Sequence, residues 1–65
     1  MRATKKDLFA EGKLLEFRPE SWEERWFTGV YVMPVSGMPG WHYVKRVGLG
    51  GDRFTVPTRR IRVRI

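Results

Sequence analysis

The last nine residues, PTRRIRVRI (57–65), decide the fold. Pro57 presets its own φ and opens a turn over 57–59. From Arg60 onward basic and β-branched residues alternate, with Ile61, Val63 and Ile65 on one side and Arg60, Arg62 and Arg64 on the other. A period of two belongs to a strand with one buried face. The ending therefore reads as the closing strand of a sheet, half core and half surface, and not as a loose basic tail. Such a strand needs partners, and they lie upstream.

RFTV (53–56) is a short strand directly before the turn. GLGGD (48–52) holds three glycines in five residues, enough for the positive-φ positions of a tight hairpin, which pairs RFTV with the strand WHYVKRV (41–47). PVSGMPG (34–40) is turn chemistry throughout. WFTGVYVM (26–33) is the longest strand candidate. Trp26, Thr28, Val30 and Val32 face one way and Phe27, Gly29, Tyr31 and Met33 the other, so both faces are apolar and one invites a cover from outside the monomer. PESWEER (19–25) reads as a loop, with Ser21 and Glu24 at capping-box spacing for a single helical turn. KLLEFR (13–18) is a strand with Leu15 and Phe17 on one face and Leu14, Glu16 and Arg18 on the other. Before it, Thr4 and Asp7 have the spacing of an N-cap with an acid at N3, and Gly12 stands where a C′ glycine ends a helix. A helical segment over 1–12 follows, with Leu8 and Phe9 packed down as a plug.

Five short strands in 65 residues form one domain spanning 1–65, with the helical segment at 1–12 and a small, strongly bent all-β barrel over 13–65. A chain this short buries only about 60% of its unfolded surface, so its nine aromatics (four Phe, three Trp, two Tyr) matter to the core. With no Cys and one His, disulfides and thiolate metal sites are excluded, and neither metal nor cofactor is expected. No apolar run reaches the length of a signal peptide core or a membrane span. The expected location is cytoplasmic, with no membrane partner.

Charge is distributed unevenly. Residues 1–24 carry five basic and six acidic groups, net −1, whereas residues 25–65 carry eight basic groups against Asp52 alone, net +7, which sums to +6. Such asymmetry points to an anionic partner, nucleic acid first.

The runs G-K-L-L-E-F (12–17), W-F-T-G-V-Y-V (26–32), W-H-Y-V (41–44) and V-P-T-R-R-I-R (56–62) resemble the SH3-like barrel of Tudor and Agenet modules. That resemblance implies a single SH3-like five-stranded barrel acting as a non-catalytic binding module for methylated side chains, nucleic acid or other proteins. In a methyl-ligand cage Phe17 and Phe27 would be two walls. The remaining walls would fall at strand three and its loop, where this chain has the cations Lys45 and Arg46. A second resemblance is to the small plasmid-type dihydrofolate reductases, SH3-like tetramers that line one pore with a V-Q-I-Y-P segment. The comparable R-F-T-V-P (53–57) keeps the Pro without the hydrogen-bonding Gln-Ile-Tyr edge. A stand-alone barrel of this size suits a phage or mobile element.

No catalytic set emerges. Glu16, Glu20, Glu23 and Glu24 have no nucleophile near them in the pattern, and His42 reads as a half-exposed strand residue. The binding residues expected are basic. Arg60, Arg62 and Arg64 recur about 6.8 Å apart along a strand, comparable with successive phosphates, and guanidinium donates bidentately to phosphate. With strand five beside strand one, Glu16 could instead pair with one of them and the ladder could guard an edge. Arg59, Lys45 and Arg46 extend the basic surface. Trp41, which shares a strand with Lys45 and Arg46, and Trp26 are the expected stacking residues. The alternative is a protein-interaction or self-assembly module, homo-oligomers included, docking through Val30, Val32, Met33, Val35 and Met38.

Overall fold

The computed structural model describes residues 9–48 and 50–63. The chain forms β1 (Leu14–Phe17), β2 (Phe27–Pro34), β3 (Trp41–Arg46), β4 (Arg53–Pro57), a 3₁₀ turn (Thr58–Arg60) and β5 (Ile61–Val63). All five strands belong to one antiparallel sheet in the order β4-β3-β2-β1-β5. The closing strand does lie beside the first, with Phe17 opposite Ile61 and Leu15 opposite Val63.

Chain connectivity bends this sheet. In a flat five-stranded sheet the two edges would stand about 19 Å apart at roughly 4.8 Å per strand. Yet β4 and β5, the two edges, are joined only by Thr58–Arg60, and three 3₁₀ residues advance about 6 Å. The sheet therefore curls round on itself. Phe17 on β1 and Phe54 on β4, with two strands between them in the ladder, bring their rings to 5.5 Å. The curl stops short of the closed barrel expected, because no ladder joins β4 to β5. Pro57 has no N–H to offer across that gap, and β5 spans only Ile61–Val63.

The core is the concave side. Leu15, Phe17, Tyr31, Val44, Val56 and Ile61 are buried, and Phe9, Phe27 and Phe54 pack against them. Each large side chain fully withdrawn from water stabilises the fold by about 1.5–3 kcal/mol. Gly29 makes the packing possible. A Cβ there would stand 2.7 Å from both Phe17 Cε1 and Val44 Cγ1, so only a residue without a side chain lets β1 and β3 meet over β2.

Strict alternation fails in β2. The register shifts between Tyr31 and Met33, and Val32 is the extra residue of a bulge. Met33 consequently sits opposite Tyr43, on the convex face and exposed, instead of on the Tyr31 face. β5 also departs from expectation: Ile61 is buried as the alternation predicts, but Val63 is 40% exposed. Arg64 and Ile65 lie outside the described residues.

His42 is buried, not half-exposed. Thr58 Oγ1 donates to the Gly40 carbonyl at 3.2 Å, so it accepts from His42 Nε2–H at 2.9 Å. Nδ1 is then the acceptor for the Tyr31 hydroxyl at 3.0 Å. Burial raises the Tyr31 pKa and lowers that of His42, which keeps both groups neutral. Phe9 stacks on His42 at 4.2 Å and on Tyr31 at 5.4 Å, the plug anticipated for it. Of the expected helical segment over 1–12, residues 1–8, including Thr4, Asp7 and Leu8, lie outside the described residues. Phe9 to Gly12 form a turn in which Lys13 N–H reaches the Ala10 carbonyl at 2.9 Å. The loop between β1 and β2 contains no helical turn: Glu23 N–H bonds to the Glu20 carbonyl at 3.1 Å, and Ser21 and Trp22 are the corners.

Candidate nucleic-acid interface

The arginines of the terminal segment divide among three roles. Arg59 is exposed on the 3₁₀ turn. Arg60 is only 7% exposed. Its Nε donates to the Arg18 carbonyl at 3.1 Å and its Nη2 approaches the Pro19 carbonyl at 3.5 Å, while its Cζ lies 5.9 Å from the Trp41 ring centre. Arg60 thus clamps the β1–β2 loop and is not the outward phosphate contact expected. The expected ladder treated residue 60 as strand, where neighbours alternate; in a 3₁₀ turn the repeat is three and Arg60 rotates inward. Arg62 does face outward, but Glu16 holds its Nε at 2.8 Å.

Trp26 lies on this same edge. Arg62 Cζ stands 4.1 Å and Arg18 Cζ 5.2 Å from its ring centre, so the half-buried indole has two cations against it. Arg18 Nη1 also approaches the Glu23 carbonyl at 3.4 Å. Trp41 belongs to the far end of β3 from Lys45, about 14 Å away at strand rise, with Pro57 opposite it. It is half-buried beside Arg60 and does not adjoin Lys45 and Arg46 as expected.

A second basic group gathers where β3 leaves the sheet and β4 enters it. Lys45 and Arg53 are directly opposite one another, on the convex face with Val30 and, beyond it, Leu14. Arg46, on the other side of β3, lies 4.5 Å from the Phe27 ring centre, and Arg25 lies 5.5 Å from the same ring. Arg53 Cζ is 4.6 Å from the Tyr43 ring centre. Trp26, Phe27, Trp41 and Tyr43 each have at least one guanidinium over the ring. Stacking occupies the face of a guanidinium and leaves its in-plane N–H donors available to an anion.

Neutralisation is sparse. Among the described residues the ion pairs are Arg25 with Glu23 and Arg62 with Glu16. Lys45, Arg46, Arg53 and Arg59 have no carboxylate partner there. Glu23 is held below its ordinary pKa by the hydrogen bonds from Arg25. Trp22 is the most exposed ring, at 74%, but the turn that carries it also carries Glu20, Glu23 and Glu24, whose charges repel a phosphate backbone.

Arg53, Arg18 and Arg25 are the members of this surface that sequence reasoning passed over. Arg53 was within reach: a hairpin centred on position 49 pairs positions 45 and 53. Nothing local in the sequence marks Arg18 or Arg25, whose ring partners depend on the course of a long loop. Of the two rings a methyl-ligand cage would take as walls, Phe17 is fully buried and Phe27 faces two guanidiniums. Among the described residues no three His, Cys, Asp or Glu side chains converge on a metal position, and no helix is long and apolar enough to cross a membrane. No protein family model, no curated protein and no solved structure matches this chain.

Proposed function

We propose that the chain is a non-catalytic binding module, an open relative of the SH3-like barrel, that binds nucleic acid electrostatically through the β3–β4 hairpin end and the adjoining β5 edge. The strand order with a 3₁₀ turn between β4 and β5 supports the architecture. One observation carries the function: Lys45, Arg46 and Arg53 at the hairpin end, and Arg59 on the separate 3₁₀ turn, are exposed with no carboxylate partner among the described residues, in a half-chain of net +7. Two of these arginines are already oriented on rings, which lowers the entropic cost of engaging phosphate. Contacts would be mainly to the backbone and only weakly selective for sequence.

Titrating a labelled oligonucleotide by fluorescence anisotropy at two salt concentrations tests this. If about four phosphates are neutralised, affinity falls roughly 50- to 150-fold between about 50 and 200 mM salt. No binding at the lower salt, or an affinity indifferent to salt, overturns the reading.

A second reading, docking of a protein partner or of another copy, draws on the exposed Trp22, Met33 and Met38. Val30 and Val32, expected to join them, are only partly exposed.

A further inference from the structure

Lys45 and Arg53 stand in the position where two like charges do most harm. Arg46 N–H donates to the Asp52 carbonyl at 2.8 Å, which makes 46 and 52 a hydrogen-bonded pair. In an antiparallel ladder the next pair, Lys45 opposite Arg53, is then non-hydrogen-bonded, the type whose Cα atoms come closest, about 4.5 Å. Like charges directly opposite destabilise a sheet. No acid relieves the opposition among the described residues; the Asp52 carboxylate lies instead beside Gly50, within 3.7 Å of where a Cβ would stand.

Both side chains are held apart by their surroundings. Arg53 leans on the Tyr43 ring. Lys45 lies across Gly51, where an added Cβ would stand 3.1 Å from Lys45 Cε. The two cations thus share one convex face, one leaning toward Tyr43 and the other toward Gly51.

Resting on the nucleic-acid reading, we infer that Lys45 and Arg53 form a clamp for one backbone phosphodiester, kept at a cost to the stability of the free protein. A phosphate between the two cations neutralises their repulsion and accepts from both, the Arg through its in-plane donors and the Lys as a point charge. The geometry ties two measurable quantities together with opposite signs. Removing one charge stabilises the free protein and weakens its hold on the ligand.

The test uses the full chain and Lys45→Gln, which leaves the Arg53–Tyr43 contact in place, together with Lys45→Glu. Lys13→Gln serves as the control for a change in net charge alone. Lys45→Gln raises Tm by roughly 1–8 °C without ligand, weakens binding of a labelled oligothymidylate about tenfold at about 50 mM salt and lowers the salt slope by about 1. Lys45→Glu raises Tm further, by pairing with Arg53, and weakens binding more. Lys13→Gln leaves Tm within about 1 °C of the parent, in keeping with the small effects of isolated surface changes. A fall in Tm for both Lys45 variants, an equal rise for Lys13→Gln, or unchanged oligonucleotide affinity in Lys45→Gln overturns the clamp. If the parent protein binds oligonucleotide normally, those results leave the broader reading standing; if the parent binds none, both fall. Inorganic phosphate at matched phosphate concentration raises the parent's Tm less than the oligonucleotide does. An equal rise assigns the two cations to free phosphate and overturns the phosphodiester assignment.

Discussion

His42 has both ring nitrogens engaged, between the Tyr31 hydroxyl and Thr58, and a protonated imidazole would lose its acceptor. Burial holds its folded pKa below the ordinary 6.5. Between these two values the unfolded chain binds more protons than the folded one, so stability falls as pH drops below about 6.5 and levels off below the folded pKa. This is the chain's only histidine. Thermal unfolding should therefore show a lower Tm at pH 5.5 than at 7.5. His42→Gln, whose amide can still donate and accept, should lower Tm overall and remove that pH difference; a difference that persists in the variant would place its origin elsewhere. The sequence showed that residue 42 faces away from Tyr43, but not that this face is the core, because the neighbouring Trp41 and Tyr43 are as apolar as any core side chain. Arg60 was misread for a related reason. A long basic side chain is assigned to solvent by default, and its inward turn depends on two carbonyls more than 40 positions away in the chain.

Among the elements, β1 and β5 hold the charge balance of the edge. Glu16 and Arg62 are cross-strand neighbours at 2.8 Å, half-exposed, so the pair contributes no more than about 1 kcal/mol. Its larger effect is to occupy an arginine already positioned on Trp26. Glu16→Gln should change Tm by only a few degrees, tighten oligonucleotide binding several-fold at low salt and steepen the salt dependence by about 0.7–0.9 per decade, the increment of one added phosphate contact. An unchanged slope would take Arg62 out of the interface. That Glu16 could meet an arginine of strand five was legible in advance, since period-two alternation fixes which residues share a face once strand five is placed beside strand one; which arginine it meets comes from the register. The strands themselves were legible for the same reason, helped by glycines and prolines between them. The bulge at Val32 was not: nothing in Val30-Tyr31-Val32-Met33 breaks the apolar run, and the slip shows only in the pairing of Tyr31 with Val44 and of Met33 with Tyr43.

At the scale of the whole molecule, net charge and apolar exposure make opposing demands. Leu14, Met33 and Met38 are each 44–49% exposed, enough to raise the question of self-association. Yet Leu14 and Val30 are followed along their row by Lys45 and Arg53, and Met33 adjoins Tyr43, on which Arg53 rests. The convex face is therefore apolar only in pieces, with cations between them. Two copies meeting there bring like charges together, each carrying +6 on 7.7 kDa. At about 0.1 M salt these charges act over roughly 10 Å, at 1 M over roughly 3 Å, while apolar attraction does not weaken with salt. The two readings of the molecule thus respond to salt in opposite directions. A nucleic-acid module loses its ligand as salt rises and stays a monomer; a self-assembling one gains mass as its repulsion is screened. Light scattering should give a 7.7 kDa species at both salt concentrations. A dimer appearing at 1 M would move the functional surface to Leu14, Val30 and Met33, and Met33→Lys, which adds a charge at an exposed position, should then return it to the monomer.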